Sequence, residues 1–256
     1  MNFTIITVLL AGGMFLAMLA FLEVGRRIGR AVKTKEGKEA TAGSGAVDAA
    51  VYGLLGLLIA FTFSGAAARF EARRHLIVEE ANAIGTAYLR LDMLPAEAQA
   101  ALKEKFRQYV DSRLKSYQKL PDIEAAKAEH QVSLALQAEI WTGAVVASKA
   151  AAPQPAAMLL LPALNQMIDI TTTRIVTMQI HPPSIVFIML IVMALLSALL
   201  AGYSMADSKS RMHMLVFAAI LAITVYVILD LEYPRLGLIR IDAADQLLQE
   251  VRQGMK

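Results

Sequence analysis

The chain of 256 residues contains no cysteine. Disulfides and thiolate metal sites are therefore excluded, and redox compartment cannot be read. Charge is scarce as well: 18% of residues are charged against 57% hydrophobic, and the formal net charge is +3. So mild a charge gives nucleic-acid binding no support, and no nucleic-acid partner is expected. Strand signals are nearly missing, and no internal repeat is found. There is no G-x-x-x-x-G-K phosphate loop, no H-E-x-x-H and no nucleophile–base arrangement. No enzyme activity, catalytic residue, cofactor or metal site is expected.

What the chain does contain is apolar helix. Mean hydropathy is +0.51, a level soluble domains rarely reach, so an integral membrane protein is the leading class. Four stretches suit a bilayer crossing, which takes about 20 mostly apolar residues: Phe3 to Leu22, Ala46 to Ala68, Ile185 to Tyr203 and Met214 to Leu229. The first has no basic residue ahead of it and no A-x-A site after it, so it reads as a retained helix rather than a signal peptide. The expected fold is all-α, a polytopic membrane protein with four transmembrane helices and a helical bundle extending from the second and third. Residues 1–68 hold the first two crossings and a basic connecting loop, and residues 69–180 a soluble bundle continuous with the membrane helices. Residues 181–232 hold the last two crossings, and 233–256 form a tail.

Two sets of basic residues compete over orientation. Arg26, Arg27, Arg30, Lys33, Lys35 and Lys38 argue for a cytoplasmic 23–45 loop. Arg69, Arg73, Arg74 and the tail residues Arg235, Arg240, Arg252 and Lys256 argue for the opposite side.

The insert between the second and third crossings reads as helices separated by prolines. Residues 69–93 continue the second crossing, and Leu94-Pro95 ends it, with Pro95 suited to a first helical turn. Residues 96–120 follow, with Leu102, Phe106, Tyr109, Val110, Leu114 and Tyr117 at the 3–4 spacing of an amphipathic helix. Pro121-Asp122 breaks the chain before a helix over 123–150. "APQP" at 152–155 is a turn, and residues 156–180 form a helix with Pro162 in its first turns. "HPP" at 181–183 ends it. The one candidate flexible stretch is "EGKEATAGSG" at 36–45.

The second crossing runs into the insert without proline. At ~100° per residue, one stripe collects Gly53, Leu57, Ala60, Phe61, Ser64, Ala68, Glu71, His75, Glu79, Asn82 and Thr86. The opposite sector holds Leu55, Ile59, Ala66, Phe70, Ile77, Ile84, Tyr88 and Leu91, of which Phe70, Ile77, Ile84 and Leu91 recur every seven residues as a seam would. The stripe is small or apolar first and ionisable later. One reading packs Gly53, Gly56 and Ala60 against another helix of the chain and leaves Glu71, His75 and Glu79 in water. The other sets copies of the helix around an axis, with an apolar constriction opening into a vestibule of charged rings.

The stretch "IAFTFSGAAARFEARR" (59–74) resembles the end of the second helix of bestrophins, with Phe61, Arg69, Phe70, Glu71 and Arg73 matching. "EEANAIGTAYLRLDMLP" (79–95) and "LDLEYPRLGLIRI" (229–241) are similar to recurring segments of the bestrophin-like domain family of bacterial membrane proteins. That resemblance covers most of the chain. Bestrophins are pentameric ion channels with a neck of bulky apolar residues four apart on this helix, which implies Gly53, Leu57 and Phe61 as the constriction. Gly53 departs from the bulky pattern. The resemblance also implies a homo-oligomer, most naturally a pentamer, in the bacterial inner membrane, with a cytoplasmic bundle and with lipid and inorganic ions as partners. No calcium-binding carboxylate cluster is evident.

Other polar residues carry weaker signals. His75 and Glu79 have metal-ligand spacing, but two ligands are too few, and a solvent-facing pair or polar ring fits better. His130 reads as surface and His181 as structural. Asp169 and Arg174, five apart, find partners elsewhere. Asp48 lies just inside the second crossing, either as an outer pore ring or as a cap of the helix start. The resulting expectation is an oligomeric ion channel lined by the second helix. Leu57 and Phe61 form the constriction, Ser64, Glu71, His75, Glu79 and Asn82 line the pore or vestibule, and Asp48 is a possible outer ring. The alternatives are a non-conducting membrane scaffold or sensor, or a component of an ion-driven membrane machine.

Overall fold

A computed structural model of the chain describes residues 3–36, 44–120, 122–150, 155–208, 211–235 and 237–255. The described residues are mostly helical, with no strand among them. In chain order the helices are α1 (Phe3–Glu36), α2 (Ser44–Arg90), α3 (Ala96–Gln118), α4 (Ile123–Ala150), α5 (Pro155–Gln179), α6 (Ser184–Ser204), α7 (Arg211–Glu232) and α8 (Asp242–Gly254). A 3₁₀ turn at Leu91–Met93 follows α2. The chain divides into two compact units, Met1–Phe70 with His181–Ile239 and Glu71–Ile180 with Arg240–Lys256.

The first unit is built from α1, the first half of α2, α6 and α7. Its core joins Met18 and Leu22 to Leu55 and Ala66, and these to Leu190, Ala194, Ala198, Ala218 and Ile228. Glycine sets the closest approach. A Cβ on Gly25 of α1 would stand 1.9 Å from the Leu199 carbonyl oxygen of α6, and one on Gly202 would stand 2.0 Å from the Leu22 oxygen. Each backbone thus touches the other where no side chain fits, as small residues allow between membrane helices.

This packing corrects the expected basic loop. α1 does not end at Leu22 but stays helical to Glu36. Arg26 is buried, Arg30 Nε donates to the Ala206 carbonyl at 2.9 Å, and Lys33 Nζ donates to Asp207 Oδ2 at 2.7 Å. Arg30 and Lys33 thus hold the segment just after the C-terminal end of α6, where cations are favoured. The physical reason is that glycines 25 and 29 keep the apolar seam going beneath the charged residues. Lys38 and most of the flexible stretch lie outside the described residues.

The second unit is built from the second half of α2 with α3, α4, α5 and α8. Ile77, Ile84 and Leu91 are fully buried and Tyr88 nearly so, facing Leu102, Phe106, Tyr109 and Val110 of α3, Ile140 and Ala144 of α4, and Leu160 and Leu164 of α5. Pro95 stands immediately before α3, where its carbonyl accepts from Ala98 at 2.9 Å. Gln99 Nε2 donates back to the Leu94 carbonyl at 2.8 Å. The break expected at 181–183 is present, with Pro183 preceding α6. The "APQP" turn and Pro121 fall outside the described residues, apart from Pro155, which opens α5.

Two details stand out here. α5 opens one residue earlier than read, at Pro155, and Pro162 lies within its first turns, as expected. It cannot bond the Met158 carbonyl, and beside that gap Arg90 Nη1 donates to the Leu159 carbonyl at 2.5 Å. The 233–256 tail also contains a helix. α8 buries Leu248 and is followed by buried Met255, and Arg252 forks onto Asp111 of α3 at 2.8 and 3.0 Å.

Candidate functional site

The candidate site is the face of α2 that its own chain leaves uncovered. In the first unit Leu57 is 51% and Phe61 68% exposed, while Leu55 and Ala66 are buried. Gly53, Ala60, Ser64 and Ala68 are exposed beside them, and Cβ atoms on Gly53 or Gly56 would meet nothing within 4 Å. The uncovered sector is wider here than the stripe, since Leu54 and Phe63 are exposed too. In the second unit Glu71, His75, Glu79, Asn82 and Thr86 are exposed and Ile77, Ile84 and Leu91 are sealed. The division of faces follows the 3–4 periodicity of the sequence within each unit.

The exposed charges pair along the helix. Arg74 Nη1 donates to Glu71 Oε2 at 3.0 Å, and His75 Nε2 lies 3.2 Å from Glu79 Oε1. Asp48 stands apart from the uncovered face: it is buried, and its Oδ2 accepts from Ser204 of α6 at 2.9 Å. An outer pore ring needs an exposed carboxylate, so the structure gives Asp48 a packing role instead. Among the described residues, no group of three or more His, Asp or Glu is placed to hold a metal.

Two buried ionic centres sit behind this face, one in each unit. In the first unit, Arg69 Nε donates to Glu232 Oε1 at 2.9 Å and to Oε2 at 3.1 Å. The guanidinium folds over Gly65, where a Cβ would approach Arg69 Nη1 to 3.2 Å. Glu232 is fully buried, at the end of α7. Two residues earlier, Asp230 accepts the backbone N–H of Leu238 at 3.0 Å and of Ile239 at 2.6 Å, closing the chain after α7 into a turn. His181 stacks on Tyr233 with ring centroids 4.9 Å apart.

In the second unit, Glu80 is fully buried between Arg113 of α3 and Arg174 of α5. Arg113 Nε donates to Glu80 Oε1 at 2.7 Å, and Arg174 reaches the other oxygen. Tyr117 lies under both guanidiniums, 5.1 and 4.3 Å from its ring centroid. Burial acts to raise the Glu80 carboxyl, but the charges of Arg174 and Arg113 outweigh it and hold the group below the usual carboxylate range. Burial pushes the nearby Tyr109 hydroxyl up to about 12, so it stays protonated. It sits 3.0 Å from the Thr171 hydroxyl and accepts from Gln137 at 3.0 Å. His130, expected at the surface, is half-buried, and burial together with the Arg113 charge lowers its pKa.

A Bestrophin-like domain family profile matches residues 12–245. The chain belongs to the Bestrophin-like domain family. It matches no curated protein and no solved structure at a significant level. Like its sequence, its structure is that of a multi-pass membrane protein. Four helical stretches are long and apolar enough to cross a bilayer, Val8–Lys35, Gly45–Met93, Ala156–Ser204 and Arg211–Glu232.

Each of the three bestrophin-like segments contributes a charged residue at or near these centres. The first supplies Arg69, the second Glu80, and the third Asp230 and Glu232. Sequence reasoning missed this role. It left Glu80 unassigned beside Glu79. A signal for Glu80 was present, because residue 80 falls on the heptad seam between Ile77 and Ile84. Arg113 likewise continues the Phe106, Tyr109, Val110 face by one turn.

Proposed function

We propose that this bestrophin-like protein is an ion channel assembled from copies of the chain, with a five-fold ring favoured, around the uncovered face of α2. The observation that carries this reading is the exposure of Leu57 and Phe61, one turn apart, on a membrane helix whose opposite side is packed. A ring of such side chains narrows a pore with hydrocarbon, and apolar constrictions gate by expelling water. Gly53 adds no bulk, so the constriction rests on two rings rather than three. Ser64 follows, and then Glu71, His75, Glu79 and Asn82 line a vestibule whose fixed charges bias which ions enter. The proposed lining omits Asp48 because its carboxylate is buried against Ser204.

No catalytic chemistry belongs to this reading. By family analogy, the bundle faces the cytoplasm of a bacterial inner membrane. Arg30 and Lys33 support that orientation indirectly, since residues engaged at the end of α6 weigh less as free topogenic charge. The deciding experiment is conductance of reconstituted bilayers carrying the wild type or Phe61→Ala. Truncating the ring should raise single-channel conductance. Silent bilayers for both forms would count against a channel.

A further inference from the structure

The first unit encloses a cavity of about 570 Å³ between α1, α6 and α7. Its walls include Leu10, Gly13 and Ala17 of α1, Leu195 of α6, and Ala222 of α7, with Tyr233 just beyond α7. Apart from Tyr226 and Tyr233, the lining is hydrocarbon, one thioether and glycine. A buried water needs two to four polar partners, and this lining does not supply them. Close-packed interiors leave few voids larger than a water, so a space this large, open to a bilayer, is filled by hydrocarbon.

The dimensions select which hydrocarbon. Along α1 the lining runs from Leu9 to Ala17, ~12 Å of helix, and along α7 from Ala222 towards Tyr233, ~16 Å. That is about half of the ~30 Å hydrocarbon core, the depth of one leaflet. A transmembrane helix of a second copy runs the whole depth of the core, whereas this lining covers one leaflet's depth. One acyl chain matches that half-depth. The mouth is continuous with the lipid-facing surface, where Leu9 and Leu10 are more than half exposed. Tyr233 marks the outer end, where an amphipathic ring suits the interface.

We propose that this cavity binds one acyl chain of a membrane phospholipid, drawn from the leaflet on the Tyr233 side. The site is independent of the pore reading, since none of its residues belongs to α2. Gly13 offers a clean test: a Cβ there would meet nothing within 4 Å, so Gly13→Leu fills the cavity without moving the backbone. Gly12 is equally open but is not part of the lining, which makes Gly12→Leu a matched control.

The full-length protein would be reconstituted in vesicles of phosphatidylethanolamine and phosphatidylglycerol. The vesicles would be doped with phosphatidylethanolamine carrying a mid-chain diazirine, and adducts mapped by peptide mass spectrometry after irradiation. Labelling should concentrate on the α1 and α7 lining, fall several-fold in Gly13→Leu and stay unchanged in Gly12→Leu. Ala17→Leu repeats the test from another position should Gly13→Leu not fold. Even labelling of all lipid-facing positions, or labelling that both filled variants leave intact, overturns the proposal. A change of oligomeric state in Gly13→Leu with labelling intact would assign the cavity to a neighbouring copy instead.

Discussion

Arg69 of α2 holds the buried Glu232 carboxylate in a two-oxygen grip, with its Nε 2.9 Å from Oε1 and 3.1 Å from Oε2. The pair ties the membrane half of α2 to the end of α7 within one unit. Removing one member of a buried pair strips the other of compensation, at a cost of about 3 kcal/mol. Arg69→Met should therefore lower the thermal unfolding midpoint in detergent, followed by circular dichroism. The double variant Arg69→Met/Glu232→Met should recover part of that loss. An unchanged midpoint for the single variant would show the pair to be idle.

The Glu80 centre predicts a pH dependence with a definite sign. Its folded carboxyl is held below the unfolded value, so its ion pairs add stability above the ordinary carboxylate range. That stability is lost as pH falls through the lowered folded value. Unfolding midpoints measured from neutral pH downward should decline in the acid range. Glu80→Gln should start lower and decline less steeply. A parallel decline in both proteins would place the acid sensitivity elsewhere.

Glycines divide into those that touch a neighbour and those that do not. Gly202→Ala puts a methyl 2.0 Å from the Leu22 oxygen and should destabilise by about 1–3 kcal/mol as α1 and α6 are pushed apart. Gly56→Ala meets nothing in its own chain and should change stability by no more than about 0.5 kcal/mol. If Gly56→Ala instead dissociates the assembly in size-exclusion light scattering, a neighbouring copy sits against that glycine.

Because the chain has no cysteine of its own, single cysteines report accessibility without background. Phe61→Cys and Glu79→Cys should react with a water-soluble methanethiosulfonate and reduce conductance. Leu55→Cys and Ile77→Cys, on the buried side of α2, should resist. Reaction at the buried pair but not at the exposed pair would turn the proposed lining inside out.

Much of the architecture was legible in sequence because it rests on local rules. Hydrophobic runs gave the crossings, and prolines 95 and 183 fell at helix starts because a ring without an N–H is tolerated best where no helical partner is needed. The phase of α2 was legible for the same reason: Leu57, Phe61, Glu71, His75 and Glu79 emerge on the uncovered side, and Ile77, Ile84 and Leu91 on the sealed one. The end of α1 was not legible. Arg26, Arg27 and Arg30 look like a loop until Gly25 and Gly29 are seen lying on α6, and no local pattern names the helix a glycine will meet.

The sequence by itself determined that this is an all-helical membrane protein with one continuous, two-faced second helix, since periodicity and hydropathy are properties of neighbouring residues. Only the tertiary structure decided which charges are spent inside. Glu80 and Glu79 are adjacent and chemically alike, yet one is sealed between Arg113 and Arg174 and the other meets solvent. Likewise Asp48 is bound by Ser204, and Glu232 by Arg69. The cost of burying a charge is offset only by a partner of opposite sign or a hydrogen-bond donor at contact distance. Those partners come from helices far away in the chain, so they exist only once the fold has brought them there.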